Sequence, residues 1–158
     1  MPASEFDLIA AIQQRLPGPG DRVRVPSGDD AAVVEPGGAS AISVDAVVDG
    51  VHFRLEDFGP PAVGRKALAV GLSDLAAMGA SQGEAYVVVA APSDLDDAVL
   101  LGIAEGLAEV ATREGVTVAG GDLVASPVLV ISVTAVGYET GNAKLVAFSV
   151  GLGAQQVL

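Results

Sequence analysis

Aspartates beside predicted strands are the residues of this sequence whose types and spacing best suit chemistry. Asp29 and Asp30 are adjacent and precede a short apolar stretch. Asp45 interrupts an apolar predicted strand, in which alternation places Ser43 and Asp45 on one face and the apolar neighbours on the other. Neighbouring carboxylates repel one another unless a cation lies between them, so these positions are candidate metal ligands. Each signal is weak alone, and the alternative for Asp29 and Asp30 is an ordinary turn.

Two further aspartates extend this set of candidates. Asp74 lies in a predicted helix that is apolar nearly all round beyond Lys66, which predicts burial on more than one side. A buried ionised carboxylate is costly unless it meets a cation or hydrogen-bond donors. The alternative for Asp74 is a bond to neighbouring backbone or emergence at a crevice. Asp122 follows Gly120 and Gly121, a predicted flexible turn where the backbone can approach a ligand closely.

Oxygen atoms are the main ligands that this chain can offer to a metal ion. The sequence has 20 acidic and 8 basic residues, no cysteine, and His52 as its single histidine. Disulfides, thiolate nucleophiles, cysteine-based zinc sites and two-histidine motifs are therefore excluded. Hard divalent ions such as Mg²⁺ prefer carboxylates together with substrate phosphates. The net charge of −12 also argues against nucleic-acid binding through a basic face.

The standard phosphate-binding and hydrolase motifs are missing from the sequence. There is no P-loop, no G-x-G-x-x-G between a strand and a helix, and no G-x-S-x-G. A phosphoryl-transfer function would therefore depend on metal-held phosphates. The longest uncharged stretches, residues 123–138 and 145–158, are shorter than the roughly 18 residues of a spanning helix. With no basic leader before an apolar stretch, we expect a soluble, cytoplasmic protein without a membrane association.

Hydrophobic periodicity and turn residues predict the elements that must position these aspartates. A capping-box pair, Ser4 and Asp7, predicts a first helix that ends before Pro17, and a short strand is expected over residues 23–25. Turn residues around position 37 predict a hairpin, with residues 31–34 as one arm and 39–48 as the returning strand. The later predicted elements, in order, are a loop over 49–59, a helix from Pro60 to about Met78, a strand over 85–91, a helix begun by Ser93 and Asp96 and ending near Glu114, and strands over 116–118 and 127–136.

This order of elements predicts an α+β fold. Helices are expected to cover one face of a mixed, mainly antiparallel sheet. The carboxylates would then lie at the ends of several neighbouring elements.

Taken together, the motifs resemble the N-terminal half of the thiamine-monophosphate kinase family. That family belongs to a superfamily with aminoimidazole ribonucleotide synthetase, selenophosphate synthetase and a hydrogenase maturation factor. The matching segments occur in family order over residues 1–138, and the Gly-Asp-Asp-Ala-Ala and Val-His-Phe segments favour the thiamine enzyme. The segments are Glu5-Phe6 with Leu8-Ile9, Gly28-Asp29-Asp30-Ala31-Ala32, Ser43-Val44-Asp45, Asp49-Gly50-Val51-His52-Phe53, Gly64-Arg65-Lys66-Ala67-Leu68-Ala69, Leu72-Ser73-Asp74-Leu75-Ala76-Ala77-Met78-Gly79-Ala80 and Gly120-Gly121-Asp122.

The resemblance implies an enzyme that uses ATP to convert thiamine monophosphate to thiamine diphosphate by Mg²⁺-assisted in-line phosphoryl transfer. It also implies a homodimer whose N-terminal sheets pack together, with the nucleotide bound near the interface. Gly121 and Asp122 would contribute to the ATP site. His52 would contact the substrate, the alternative being a loop histidine with ordinary hydrogen bonds. The implied ligands of several Mg²⁺ ions are Asp30, Ser43, Val44 through its backbone carbonyl, Asp45, Asp74 and Asp122.

The resemblance implies a boundary within the chain as well. Residues 1–138 correspond to the N-terminal ATP- and Mg²⁺-binding domain, and residues 139–158 form an unmatched tail. The family's C-terminal α/β domain is not represented, so we expect half of the site and little or no turnover. Two alternatives are a non-catalytic dimerising module that binds nucleotide and Mg²⁺, and another ATP-using enzyme of the superfamily.

Overall fold

The computed structural model of the protein describes residues 5–26, 31–36 and 38–139. Within these ranges four helices accompany six strands. The helices and strands are α1 (Glu5–Gln13), β1 (Val23–Val25), β2 (Val33–Val34), β3 (Ser40–Val48), α2 (Leu55–Phe58), α3 (Pro60–Ala77), β4 (Ser81–Ala91), α4 (Asp97–Glu114), β5 (Thr117–Ala125) and β6 (Val130–Tyr138).

A four-stranded sheet in the order β3-β6-β4-β5 forms the centre of the fold. β6 pairs antiparallel with both β3 and β4, whereas β4 pairs parallel with β5. α3 packs on β3, β6 and β4, and α4 packs on α3. The predicted α+β fold, with a mixed sheet covered by helices on one face, is confirmed.

The hydrophobic core lies between the sheet and the two long helices. Alternate residues of β6 contribute to it, including Ile131 and Val133, and α3 contributes Leu68 and Leu75. Each of these four side chains is at most 1% exposed. Their tight burial gives β3 and α3 a fixed relative position, and that position determines the geometry of the candidate site.

In the edge strand β3, the polar side chains face the helices and the apolar side chains face the uncovered side of the sheet. Ser43 and Asp45 are partly buried on the face that α3 covers, while Ile42 and Val44 are 65% and 66% exposed on the open face. The predicted alternation of this strand is confirmed. The polar residues lie under a helix and the apolar residues face outward, which is opposite to the usual arrangement.

α3 begins and ends as its sequence predicts, with proline in its first turn and Gly79 at φ 69° just beyond it. The helix is covered on more than one side, as expected, because α3 packs against both the sheet and α4. The expected burial of Asp74 is wrong, since Asp74 is exposed while Leu68, Leu72 and Leu75 are buried. The outer face carries alanines, and small apolar side chains can face solvent at little cost, so an apolar helix need not be covered all round.

The predicted hairpin between residues 31–34 and 39–48 is also wrong. β2 pairs antiparallel with β1, and β3 pairs over nine residues with β6 instead. A turn signal depends on neighbouring residues, whereas the pairing partner of a strand depends on packing across the whole sheet. The long ladder between β3 and β6 buries Ile131 and Val133, which a local hairpin could not do.

Three further boundaries differ from the sequence-based prediction. The N-cap of α4 is Asp96 alone, whose carboxylate accepts a hydrogen bond from the Ala98 N–H at 2.9 Å. A short helix, α2, lies inside the predicted loop 49–59. β5 continues through Gly120 and Gly121, where a turn was expected. Gly121 meets a packing requirement of the sheet instead of forming a turn, because a Cβ at this position would lie 2.0 Å from the Val87 carbonyl oxygen.

Two predicted features lie outside the described residues. These are Ser4 of the first capping pair and the Gly28-Asp29-Asp30 segment. Among the residues that the structure describes, no helix combines the length and the apolar character that a membrane crossing needs.

Candidate functional site

The candidate site forms where β3 passes beneath the C-terminal end of α3. The Ser43 hydroxyl donates a hydrogen bond of 2.7 Å to Asp74 Oδ2. Asp45 lies two residues further along the same face of β3 and is close enough to Asp74 for the two carboxylates to interact. The register of β3 and the packing of α3 therefore bring Ser43 and Asp45 together with Asp74, which lies 31 residues after Ser43 in the sequence.

The charges in this site are poorly compensated. Burial raises the pKa of Asp45, and the neighbouring negative charge of Asp74 raises it further. Asp45 Oδ2 is buried and has no hydrogen-bond partner among the described residues. Asp74 lies in the last turn of α3, which contains no basic residue, at the negative end of the helix dipole. Burial and the neighbouring carboxylate therefore disfavour the ionised form of Asp45 unless a cation is present.

The donor set fits Mg²⁺. Two carboxylates and a hydroxyl are hard oxygen ligands, and an unpartnered buried carboxylate oxygen is available for coordination. Mg²⁺ is typically bound through one or two carboxylates plus substrate phosphates, so this pair could supply the carboxylate ligands of one ion. Within residues 5–26, 31–36 and 38–139, no group of three or more histidine, cysteine or acidic side chains comes together. The described part of the chain therefore offers an incomplete coordination shell.

The other predicted ligands are placed differently. Asp30 lies outside the described residues. Val44 lies between Ser43 and Asp45, but its side chain is on the open face, so only its backbone could take part. Asp122 pairs in register with Val88 of β4, which places it on the open face as well. In a single chain the sheet therefore separates the side chain of Asp122 from that of Asp45.

Gly121 and Asp122, the predicted ATP contacts, occupy the exposed edge strand β5. The carboxylate of Asp122 accepts a hydrogen bond from the next residue, Leu123, at 2.9 Å. The close approach of Gly121 to the Val87 carbonyl gives this glycine a packing role that is independent of any ligand.

His52, the predicted substrate contact, lies exposed in the loop after β3. Its Nδ1 accepts a hydrogen bond of 3.1 Å from the Val48 N–H, which assigns the proton of a neutral ring to Nε2. Lys66 of α3 donates to the carbonyl of His52. Asp49 stabilises the same loop by accepting hydrogen bonds from Gly50 and Leu55, both at 3.0 Å. The loop is thus held in one conformation by its own residues.

Sequence reasoning missed a buried polar cluster on the open face. Glu84 is 3% exposed and contacts both Tyr138 and Arg22. One signal for it exists in the sequence, because Glu84 is a charge directly before the mainly apolar run that ends β4. Its partners, 54 and 62 residues away, leave no local pattern.

The mixed sheet with helices on one face agrees with the comparison to known proteins. The chain belongs to the family described as AIR synthase related protein, N-terminal domain, whose model matches residues 28–138. The resemblance inferred from the sequence is confirmed at this level.

Its named relatives are thiamine-monophosphate kinases. The chain is 41% identical over 119 residues to the thiamine-monophosphate kinase of Mycobacterium tuberculosis (strain CDC 1551 / Oshkosh), covering 75% of this chain and 36% of that protein. The crystal structure of the enzyme from Stenotrophomonas maltophilia K279a is similar with a TM-score of 0.72 and 34% identity, covering 87% of this chain and 43% of that one.

A further solved structure is described as AaThiL complexed with AMPPCP and TMP. It matches with a TM-score of 0.61 and 32% identity, covering 84% of this chain and 41% of that chain. The chain thus spans less than half of the length of each of these relatives.

Proposed function

We propose that this chain provides the N-terminal half of the active site of a thiamine-monophosphate kinase, which converts thiamine monophosphate and ATP to thiamine diphosphate and ADP. The observation that carries the proposal is the pair of carboxylates Asp45 and Asp74 with the hydroxyl of Ser43. The names of the relatives and the match over residues 28–138 support it. In this proposal residues 1–138 are the domain that binds ATP and Mg²⁺, and residues 139–158 lie outside it.

Phosphoryl transfer requires positioning and charge neutralisation more than covalent catalysis by the protein. A phosphate oxygen of thiamine monophosphate attacks the γ-phosphorus of ATP in line with the leaving group, and the bond between that phosphorus and the bridging oxygen breaks as ADP departs. A phosphate is already a competent nucleophile, so no general base is needed. Mg²⁺ held by Asp45 and Asp74 would neutralise the charge of the nucleotide phosphates.

The residues of this chain prepare that site in defined ways. Ser43 donates its hydroxyl proton to Asp74, which fixes the orientation of that carboxylate. The exposed oxygens of Asp74 and the unpartnered Oδ2 of Asp45 remain available to a cation. Asp30, the backbone of Val44 and Asp122 are the further ligands that we propose. His52 is our proposed contact for the substrate.

We propose in addition that two copies of the chain pack through the open face of the sheet. That face carries exposed apolar side chains, which monomeric proteins rarely present as a continuous patch. Asp122 lies on the same face, so a nucleotide bound beside the interface could reach it from a site shared by two copies. The exposed apolar members of this face are Ile42, Val44, Val88 and Val124. Because the donor is ATP, we place the protein in the cytoplasm.

The activity is tested by incubating the 158-residue chain with ATP, Mg²⁺ and thiamine monophosphate and separating the products by chromatography. We expect binding of Mg-ATP with little formation of thiamine diphosphate, because these residues represent half of the proposed site. Mixing the chain with a separately produced C-terminal domain of a relative should increase the yield of thiamine diphosphate. Absence of Mg²⁺-dependent ATP binding would argue against the proposal.

A second candidate is a dimerising module that binds nucleotide and Mg²⁺ without chemistry. The observation in its favour is that both the acidic pair of Asp45 and Asp74 and the exposed apolar side chains of Ile42 and Val44 lie within the described residues, so binding and self-association would need no other part of a kinase. Nucleotide binding with no product under any of the conditions above would favour this module over the kinase.

A further inference from the structure

Lys66 differs from the arginines of this chain in having no carboxylate partner among the described residues. Each of the six arginines forms an ion pair with a glutamate. The chain has a net charge of −12, so carboxylates are plentiful, yet none of those that the structure describes pairs with Lys66. The positive charge of Lys66 is therefore available to a bound anion.

The Lys66 side chain is held in place by neutral groups. Its ammonium donates a hydrogen bond to the backbone carbonyl of His52, and its Nζ lies 5.5 Å from the centre of the Phe58 ring. A carbonyl and an aromatic ring attract a cation without neutralising its charge. An ammonium also has three N–H donors, of which the carbonyl uses one. The group is thus fixed in position and still able to bind a ligand.

His52 supplies another hydrogen-bond donor beside this ammonium. Its Nδ1 accepts a hydrogen bond of 3.1 Å from the Val48 N–H, so a neutral ring carries its proton on Nε2. The His52 side chain is exposed, which leaves the Nε2–H open to a ligand. A phosphate group offers negative charge and acceptor oxygens, and an ammonium with a neighbouring N–H donor complements both.

Lys66 and the acidic pair lie along the same two elements. α3 runs back along β3: the Ser43–Asp74 hydrogen bond joins the first half of β3 to the last turn of α3, and the Lys66–His52 contact joins the loop after β3 to the first half of α3. We call the line between these two contacts the α3–β3 seam. Lys66 and Asp74 are eight residues apart on α3, about 12 Å along the helix axis. β3 is at the edge of the described sheet, so no further strand of that sheet borders the seam.

The two ends of the seam carry opposite charges. Asp45 and Asp74 offer carboxylate oxygens to a cation at one end, and Lys66 offers a positive charge at the other. A phosphoryl transfer brings two phosphate-bearing substrates together, and their mutual repulsion must be offset by fixed positive groups. A cation held by the carboxylates can offset the charge of one substrate, which leaves Lys66 for the other.

We propose that Lys66, with the help of His52, binds the phosphate group of the acceptor substrate. The inference rests on the proposed function, in which the acceptor is a phosphate monoester, thiamine monophosphate. The nucleotide then lies towards the acidic end of the seam and the acceptor phosphate towards Lys66. An acceptor oxygen forms its bond to the γ-phosphorus as the bond from that phosphorus to the bridging oxygen of ADP breaks. Lys66 keeps its protons throughout and acts by charge alone.

The test is calorimetry of the 158-residue chain with thiamine monophosphate, with thiamine, and with inorganic phosphate as a competitor. Lys66→Met removes the charge, Lys66→Arg keeps it, and Lys66→Gln replaces Lys66→Met if that variant does not fold. Arg54→Gln is the matched control, because it removes a positive charge from the same loop. Arg54 is already paired with Glu56 and Asp57, so its charge is not available to a ligand.

We expect the unaltered chain to bind thiamine monophosphate at least about tenfold more tightly than thiamine, and Lys66→Met to lose most of this difference. Lys66→Arg should keep part of it and Arg54→Gln all of it. Inorganic phosphate should compete with thiamine monophosphate in the unaltered chain but not in Lys66→Met. His52→Ala should weaken the binding of thiamine monophosphate by a smaller factor, because it removes a neutral donor.

Equal affinities of the unaltered chain and Lys66→Met for thiamine monophosphate would contradict this inference, as would an unaltered chain that does not distinguish thiamine monophosphate from thiamine. Binding of Mg-ATP without the acceptor separates this result from the fate of the proposed function. If Mg-ATP does not bind but thiamine monophosphate binds through Lys66, the kinase proposal fails and the phosphate site stands. If Mg-ATP binds and Lys66→Met changes nothing, only the role of Lys66 is refuted.

Discussion

At the scale of single residues, the site is defined by a carboxylate that is held under unfavourable conditions. Asp45 is partly buried, lies beside Asp74, and has an oxygen without a partner among the described residues. A protein chain without a use for this arrangement would gain stability by replacing it. The unfavourable electrostatics of the metal-free state are therefore the strongest physical argument for a cation at this position.

Asp45→Asn should stabilise the metal-free chain by about 1 kcal/mol, because the amide removes the repulsion with Asp74 and can donate a hydrogen bond. A raised pKa in the folded state means that the stability contributed by protonated Asp45 is lost as the pH rises through that pKa, and at neutral pH the charge is a penalty. Thermal unfolding at pH 7 measures the gain. Addition of Mg²⁺ should raise the melting temperature of the unaltered chain but not of Asp45→Asn.

Tyr138 predicts a pH dependence at the alkaline end. Burial and the hydrogen bond to Glu84 raise its pKa to about 12, above the ordinary value of 10. The stability that neutral Tyr138 contributes is therefore complete below pH 10 and is lost as the pH rises towards 12. Denaturant unfolding should show a smaller loss of stability over this interval for Tyr138→Phe than for the unaltered chain. Equal losses would mean that the hydroxyl does not keep its proton.

At the scale of elements, the two long helices pack unusually closely, and glycines permit the contact. A Cβ on Gly106 of α4 would lie 2.0 Å from the Pro61 carbonyl oxygen, and one on Gly64 of α3 would lie 2.0 Å from the Ile103 carbonyl oxygen. The close approach of α4 therefore supports α3, the helix that carries Asp74, so the contact contributes to the stability of the helical layer.

Gly106→Ala should separate the two helices and lower the free energy of unfolding by about 2 kcal/mol or more. Gly71→Ala is the matched control, because it is also a buried helical glycine but its Cβ would lie 3.5 Å from Val133, an ordinary contact. That variant should be neutral or stabilising by up to about 1 kcal/mol through its higher helix propensity. Urea unfolding of both variants measures the difference, and similar stabilities would contradict the close helix contact.

The elements also show what the sequence could predict. Local signals were sufficient for α3 and α4, where proline, Asp96 and the glycines at both C-terminal ends specify the boundaries. Alternation was sufficient for β3, where it assigned Ser43 and Asp45 to one face. The predicted pairing partner of β2 was wrong because strand pairing depends on the whole sheet. The predicted burial of Asp74 was wrong because hydrophobicity alone does not say which positions of an apolar helix are left exposed.

The candidate site was predictable only in part, because local sequence signals identify residue types but not the distant segments that pack beside them. Side-chain types and the resemblance to a family indicated Ser43, Asp45 and Asp74, and the fold brings these three together. The buried cluster of Glu84, Tyr138 and Arg22 was missed, since the partners of Glu84 come from distant segments. The position of Asp122 on the opposite face also depends on a strand order that no local pattern reveals.

At the scale of the whole molecule, one face of the sheet is covered by helices and the other is largely open. The buried cluster of Arg22, Glu84 and Tyr138 lies at one end of the open face, and exposed apolar residues, including Ile42 and Val88, lie elsewhere on it. A second copy of the chain would bury these residues, and the proposed dimer follows from this arrangement.

Ile42→Asp should weaken self-association at least about tenfold, because each interface would then bury two unpaired charges. Val51→Asp is the control: Val51 is 73% exposed, compared with 65% for Ile42, but lies in the loop after β3. Analytical ultracentrifugation at several concentrations measures the dissociation constants. A dimer that tolerates Ile42→Asp, or an unaltered chain that remains monomeric, would contradict the proposed interface.

The central claim is that Asp45 and Asp74 bind Mg²⁺ for a nucleotide, and titration calorimetry of the intact chain with ATP tests it most directly. We expect ATP binding that requires Mg²⁺, is abolished by EDTA, and is weakened at least about tenfold in Asp74→Asn. Asp94→Asn, at an exposed acid outside the site, should bind as the unaltered chain does. Binding that is equal in Asp74→Asn and Asp94→Asn, or that persists in EDTA, would contradict the account.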